Sequence, residues 1–223
     1  MLDSSQQRQI MVESQIQPSD ISSSSSKEIL RLFGELPREK FTPRQLKRIA
    51  YMDDEFPLSH NRFMLRPQVL ARMISLGDPK TSDRVLYIGC GLGYGPAILS
   101  ALCSSLIGLE SYTDLSQQAE EVIKELNLKN IEIVNGSFSE GWSEQAPYSL
   151  IFIEGKIDHI PPMILDQLGN EGRIVAIKQQ PSGRTEVVKI EKEQGVLTEI
   201  PQFYANAPYL EGFEALHEFV FTN

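Results

Sequence analysis

Gly89-Cys90-Gly91-Leu92-Gly93 has the spacing of a backbone loop that a ligand can approach closely, because glycine has no Cβ to hold it off. The loop follows the apolar run Val85-Leu86-Tyr87-Ile88 and precedes a helical segment, whose free N–H groups open on the same place. In an open sheet such a ligand lies outside the carboxyl ends of the strands. A dinucleotide loop has the spacing GxGxxG. Here the third glycine comes one residue early, and Tyr94 takes the expected position. GxGxG suits a nucleoside with no pyrophosphate to cradle. Glu110 closes the next apolar run, nineteen residues after Gly91, where a carboxylate can accept both ribose hydroxyls. The alternative for Glu110 is a solvated strand-end charge; the order of loop, strand and acid favours the ribose. Gly89, Cys90, Gly91, Gly93, Tyr94, Glu110 and the adjoining Ser111 are therefore candidates for one nucleoside site.

The elements that must position them are legible from periodicity. Arg84–Ile88, Leu106–Leu109, Ile131–Val134, Leu150–Ile153 and Arg173–Ile177 are short apolar runs. Helical segments at Pro96–Cys103, Leu115–Leu126 and Pro161–Leu168 separate most of them. That alternation implies a Rossmann-like, doubly wound α/β fold with a mostly parallel sheet covered on both faces. Glu186–Glu191 and Val196–Tyr204 flank Glu193-Gln194-Gly195, which predicts a C-terminal antiparallel hairpin. Glu218–Thr222 reads as a last strand, and Ala205–Phe213 as a loop that either covers the site or packs on the sheet edge. Residues 1–80 read as an N-terminal helical extension packed on a core domain of residues 81–223. Ile10, Val12 and Ile16 hint at a first helix. Ser25 and Glu28 have capping-box spacing for a second, with Gly34 as its stop. A third helix is expected after Pro43 and a fourth after Pro67, burying Val69, Leu70, Met73 and Ile74.

The 223 residues carry a formal net charge of −9, which disfavours nucleic acid and anionic membranes as partners. The basic cluster Arg44–Arg48 reads as a solvated helix face. Cys90 and Cys103 have no metal-ligand spacing, and His60, His159 and His217 lie far apart, so no metal site is expected. No basic, then apolar leader and no membrane-length run is seen, which makes the cytoplasm the expected location.

The ordered segments resemble protein-L-isoaspartate O-methyltransferases. Met11-Val12 with Gln15-Ile16 is similar to that family's opening helix, and Leu36-Pro37-Arg38-Glu39 with Phe41 and Pro43 to its PRExF segment. Ala50-Tyr51 with Asp53, then Pro67–Ala71 with Met73, continue the likeness, as do the glycine loop and Gly172–Val175. The resemblance spans roughly residues 10 to 178. It implies the class I methyltransferase fold, S-adenosylmethionine as cofactor, and methylation of the α-carboxylate of an isoaspartyl residue in a damaged protein or peptide, by a monomer or homodimer. A carboxylate is already nucleophilic, so such chemistry asks chiefly for alignment and desolvation. No catalytic residue is assigned.

The departures are local to the site. Where the family carries GQTISQP over the reacting centre, this chain reads Asn61-Arg62-Phe63-Met64-Leu65-Arg66-Pro67. Leu65 stands at the serine, Phe63 at the threonine, and Arg62 and Arg66 are candidates to grip a substrate carboxylate. Tyr87 stands where the family has an acid for the methionine ammonium. Ser137 and Phe138 stand where it reads adenine: the serine could accept a hydrogen bond and the phenylalanine could stack. Glu154, after the fourth strand, is the candidate to compensate at the methionine end. These changes leave open a non-catalytic descendant used for binding or regulation, or a methyltransferase for a different small carboxylate.

Overall fold

The computed structural model describes residues 2–215. β3 (Arg84–Ile88) is an interior strand of a seven-stranded sheet, and every residue after Arg84 is apolar and buried. Its side chains alternate between faces, as a strand dictates. Val85 and Tyr87 join the cluster under the N-terminal helices, while Leu86 and Ile88 join the one on the opposite face.

The sheet adds β4 (Ser105–Glu110), β5 (Ile131–Asn135), β6 (Tyr148–Ile157), β7 (Leu168–Gln179), β8 (Thr185–Glu193) and β9 (Val196–Tyr204), in the order β5-β4-β3-β6-β7-β8-β9. β3 to β7 run parallel, and β8 and β9 form the expected antiparallel hairpin. The chain reverses direction of growth at β3, with β4 on one side and β6 on the other, so the switch-point crevice opens at its carboxyl end. A separate two-stranded ribbon, β1 (Phe56–Pro57) and β2 (Phe63–Met64), lies ahead of the sheet in sequence.

Helices α1 (Ser4–Met11), α2 (Ser26–Glu35), α3 (Pro67–Gly77), α4 (Tyr94–Ser100) and α5 (Thr113–Glu125) contribute buried residues to one cluster. The short α6 (Pro162–Asp166) and the 205–213 loop, through Leu210 and Phe213, contribute to the other. No helix among the described residues is long and apolar enough to cross a membrane.

Four local expectations need correction. No helix follows Pro43; the segment is turns and a three-residue 3-10 stretch, Lys47–Ile49. Buried Arg38 donates to the carbonyl of Ala50 at 2.9 Å, which ties the segment's end down before a helix can run on. Ser25 does not close a capping box: its hydroxyl donates to Pro79 O at 3.1 Å, and the box that forms is Asp3 with Gln6. α2 also runs through Gly34 to Glu35. In the first helix Ile10 is exposed, and Met11 replaces it on the buried face as the helix widens into a π turn over Val12–Ile16. The strand expected at 218–222 lies outside the described residues.

Candidate active site

Strand register places the candidates side by side. Ile88 pairs with Leu109 and with Ile153, so Gly89, Glu110 and Glu154 are the next residues on three adjacent strands. Gly89 (φ 80°), Gly91 (φ 54°) and Gly93 (φ 93°) turn the chain into α4 with left-handed backbone that L side chains rarely adopt. Glu110 folds back onto that loop. Its Oε2 accepts from Gly91 N at 2.8 Å and its Oε1 from Ser111 N at 3.1 Å, and the side chain is fully buried. Burial pushes its carboxyl above the usual carboxylate range; the charge of Arg62 and the N–H groups of Gly91, Tyr112 and Ser111 oppose the rise.

Arg62 comes from the turn between β1 and β2, yet only 4% of it is exposed. Its Nη2 donates to Gly89 O at 2.8 Å and to Glu154 O at 3.0 Å. Its Nε lies 3.8 Å from Glu110 Oε2, an ion-pair distance too long for a hydrogen bond, and that nitrogen has no hydrogen-bond partner. The guanidinium sits 5.3 Å from the ring centre of Phe138. A Cβ added to Gly89 would meet Arg62 Nη2 at 2.6 Å, so the guanidinium occupies the space that the glycine leaves free.

The neighbouring space is filled in the same way. Tyr87 donates its hydroxyl to Glu154 Oε2, and Leu65 N lies 3.4 Å from Glu154 Oε1. Burial raises the Glu154 carboxyl, against the Tyr87 hydroxyl and the Arg62 charge, and pushes the Tyr87 phenol well above its ordinary value. Leu210, from the 205–213 loop, closes over Gly89 and Gly155 from the other side. What remains beside Gly91, between Leu58, Phe63 and Glu154, is a cavity of about 10 Å³.

Other candidates stand outside this cluster. Tyr94 points toward the helices, edge-on to Phe33 at 5.8 Å and beneath the Arg38 guanidinium at 4.9 Å. Cys90 is buried, and burial raises its thiol well above the ordinary range. Leu65 is a core residue. Arg66 is exposed, 4.0 Å from Asp54 and 3.9 Å from Glu55, and does not join Arg62. Ser111 accepts from Phe138 N at 3.2 Å and donates to Gly136 O at 2.8 Å. Ser137, exposed, pairs with Ser139 on the wall of an open cleft of about 510 Å³ that Asn135 and Glu211 also line.

Sequence reasoning missed a clasp on the same rim. Ser59 and His60 both bond Asp114, at 3.0 and 2.8 Å, and the His60 ring stacks on Tyr112 at 4.1 Å. Tyr112 in turn donates to Glu211 at 2.8 Å, which links the 58–62 turn to the 205–213 loop. Nothing in the local pattern of either segment announces a contact across more than fifty residues.

This architecture has close counterparts among known proteins. The sequence profile of the family described as protein-L-isoaspartate(D-aspartate) O-methyltransferase matches residues 7–205. A protein-L-isoaspartate O-methyltransferase of Methanoculleus marisnigri is 32% identical over 195 residues, 87% of each chain. One of Opitutus terrae is 32% identical over 184 residues, 82% of this chain and 77% of that one. Among solved structures, a Plasmodium falciparum protein of this description, in complex with S-adenosyl-L-homocysteine, superposes with a TM-score of 0.75 at 19% identity, covering 92% of this chain and 98% of its own. The last likeness speaks to the fold; the profile match and the two sequence relatives establish that this chain belongs to the protein-L-isoaspartate(D-aspartate) O-methyltransferase family.

Proposed function

We propose that the chain is an S-adenosylmethionine-dependent O-methyltransferase acting on a carboxylate of isoaspartyl-bearing protein or peptide. Membership of the family over most of the chain carries this reading, and the juxtaposition of Gly91 and Glu110 supports it. Glu110 is the residue suited to ribose hydroxyls, with Ser111 and Phe138 on the side toward the base. The open cleft beside Ser137 is a suitable place for the adenine end.

The closed arrangement itself does not admit such a cofactor. Pockets for ligands of this size measure roughly 300–1,000 Å³, against about 10 Å³ beside Gly91. Arg62 holds the Glu110 carboxylate and the Gly89 carbonyl, and Tyr87 with Glu154 fills the methionine end. The polar groups that remain are nevertheless of the right kind: a buried acid, a loop amide that Glu110 now holds, and strand-end carbonyls to which Arg62 donates. Arg66 at the rim stays a candidate for the substrate carboxylate.

The filled crevice favours one second reading, a non-catalytic descendant that uses the fold for binding. Incubation with methyl-labelled S-adenosylmethionine and an isoaspartyl peptide separates the two. A base-labile methyl ester on the isoaspartyl peptide, absent on its aspartyl isomer, is the expected result. No incorporation by the wild-type chain or by the opened variants described below would reject the enzyme reading.

A further inference from the structure

We infer that Arg62 is a tethered cation that plugs the nucleoside crevice, and that the 58–62 turn must release Asp114 before a nucleoside cofactor can enter. The inference rests on the methyltransferase reading, since it concerns access to that same crevice.

Three observations carry it. First, Arg62 takes contacts that belong to the sheet edge and not to its own ribbon. Gly89 O, Glu154 O and the Glu110 carboxylate all lie on or just beyond β3, β4 and β6. A guanidinium is planar, cationic and rich in donors: here it donates to two carbonyls and sets its charge beside the Glu110 carboxylate. An S-adenosylmethionine sulfonium is also a cation, and its ribose hydroxyls also donate to a carboxylate. The arginine and the cofactor therefore compete for one set of acceptors.

Second, the plug is not fully satisfied. Arg62 Nε is buried without a hydrogen bond. A buried donor in that state carries an uncompensated desolvation penalty. The turn behind it holds two consecutive non-glycine residues in the left-handed region, His60 (φ 55°) and Asn61 (φ 54°). Such residues are strained and persist where surrounding contacts over-determine them. Both features lower the cost of leaving the closed state.

Third, what over-determines the turn is a small exposed clasp. Asp114, half exposed, accepts from Ser59 and bonds His60. Arg62 lies two residues along the chain from that clasp, and Leu58 N bonds Arg62 O at 2.8 Å, so the turn and the plug move as one piece. Apparent affinity equals intrinsic affinity multiplied by the fraction of open molecules. Breaking the clasp or removing the plug raises that fraction; the first leaves the contacts of Glu110 and the glycine loop in place, and the second also takes the Arg62 charge from beside Glu110.

Calorimetric titration with S-adenosyl-L-homocysteine tests this on the full chain, in wild type, Arg62→Ala and Asp114→Ala, each checked for cooperative thermal unfolding. Arg62→Ala is expected to bind at least about tenfold tighter than wild type, and Asp114→Ala about threefold to tenfold tighter. Should Arg62→Ala fail to fold, Asp114→Ala alone decides, because its change lies at the surface. Wild type binding as tightly as either folded variant would overturn the plug and leave the methyltransferase reading standing. Folded variants that bind nothing at millimolar ligand would overturn both.

Discussion

Gly95 shows how far the crevice has been rebuilt around single side chains. It lies in the first turn of α4, one residue after Tyr94, where alanine would ordinarily strengthen the helix by about 1 kcal/mol. A Cβ there would sit 2.0 Å from Tyr87 Oη, 2.7 Å from its Cζ and 3.2 Å from Glu154 Oε2. Tyr87 is fully buried and stacked on Phe152 at 4.6 Å, so it has nowhere to yield. Gly95→Ala is therefore expected to destabilise the chain by about 1–3 kcal/mol, the range for overpacking a core. A urea midpoint equal to or above that of wild type would mean that the Tyr87–Glu154 pair is looser than this packing requires. At the same scale, the sequence alone showed Glu110 and the glycines, because strand ends and turn chemistry are local. It did not show Arg62 as buried. In sequence it reads as an arginine placed to grip a substrate carboxylate, and the carbonyls it binds lie 27 and 92 residues away.

At the scale of elements, the apolar strands and the helices between them were legible because each carries its own periodicity. The 43–50 segment was not: proline and a polar run suggested a helix, but the buried Arg38 guanidinium claims Ala50 O and Leu65 O instead. A second arginine shows the same principle on the opposite edge of the sheet. Arg173, on β7, reaches Asp83 Oδ2 at 2.6 Å and the carbonyls of Gly77 and Asp78 at the end of α3. Burial pushes the Asp83 carboxyl up, but Arg173, Ser149 and the Lys80 N–H outweigh it and hold the group below its ordinary value of 3.8. A carboxyl lowered by folding adds stability above its unfolded value and loses it as the pH falls through its folded one. Arg173→Ala is expected to cost about 3–5 kcal/mol at pH 7, because it strands a buried carboxylate. The gap from wild type should narrow below about pH 4, where Asp83 takes up a proton in the variant. Urea midpoints at pH 7 and pH 3 check this; a gap that stays constant would mean the pair contributes packing and not charge.

Over the whole molecule, the sheet brings three strand ends and two long-range loops to one crevice. The ribbon delivers Arg62 from one side, and the 205–213 loop delivers Leu210 from the other. The glycine loop and Glu110 lie beneath them. On the proposed function this covered crevice is still a nucleoside site. Amide NMR of the folded chain, titrated with S-adenosyl-L-homocysteine to millimolar concentration, tests it most directly. The account predicts shifts concentrated at Gly89, Gly91, Ser111 and Phe138, with accompanying shifts at Ser59 to Arg62 as the turn gives way, and larger shifts at lower ligand in Asp114→Ala. Unchanged amides at the glycine loop in both proteins would contradict it.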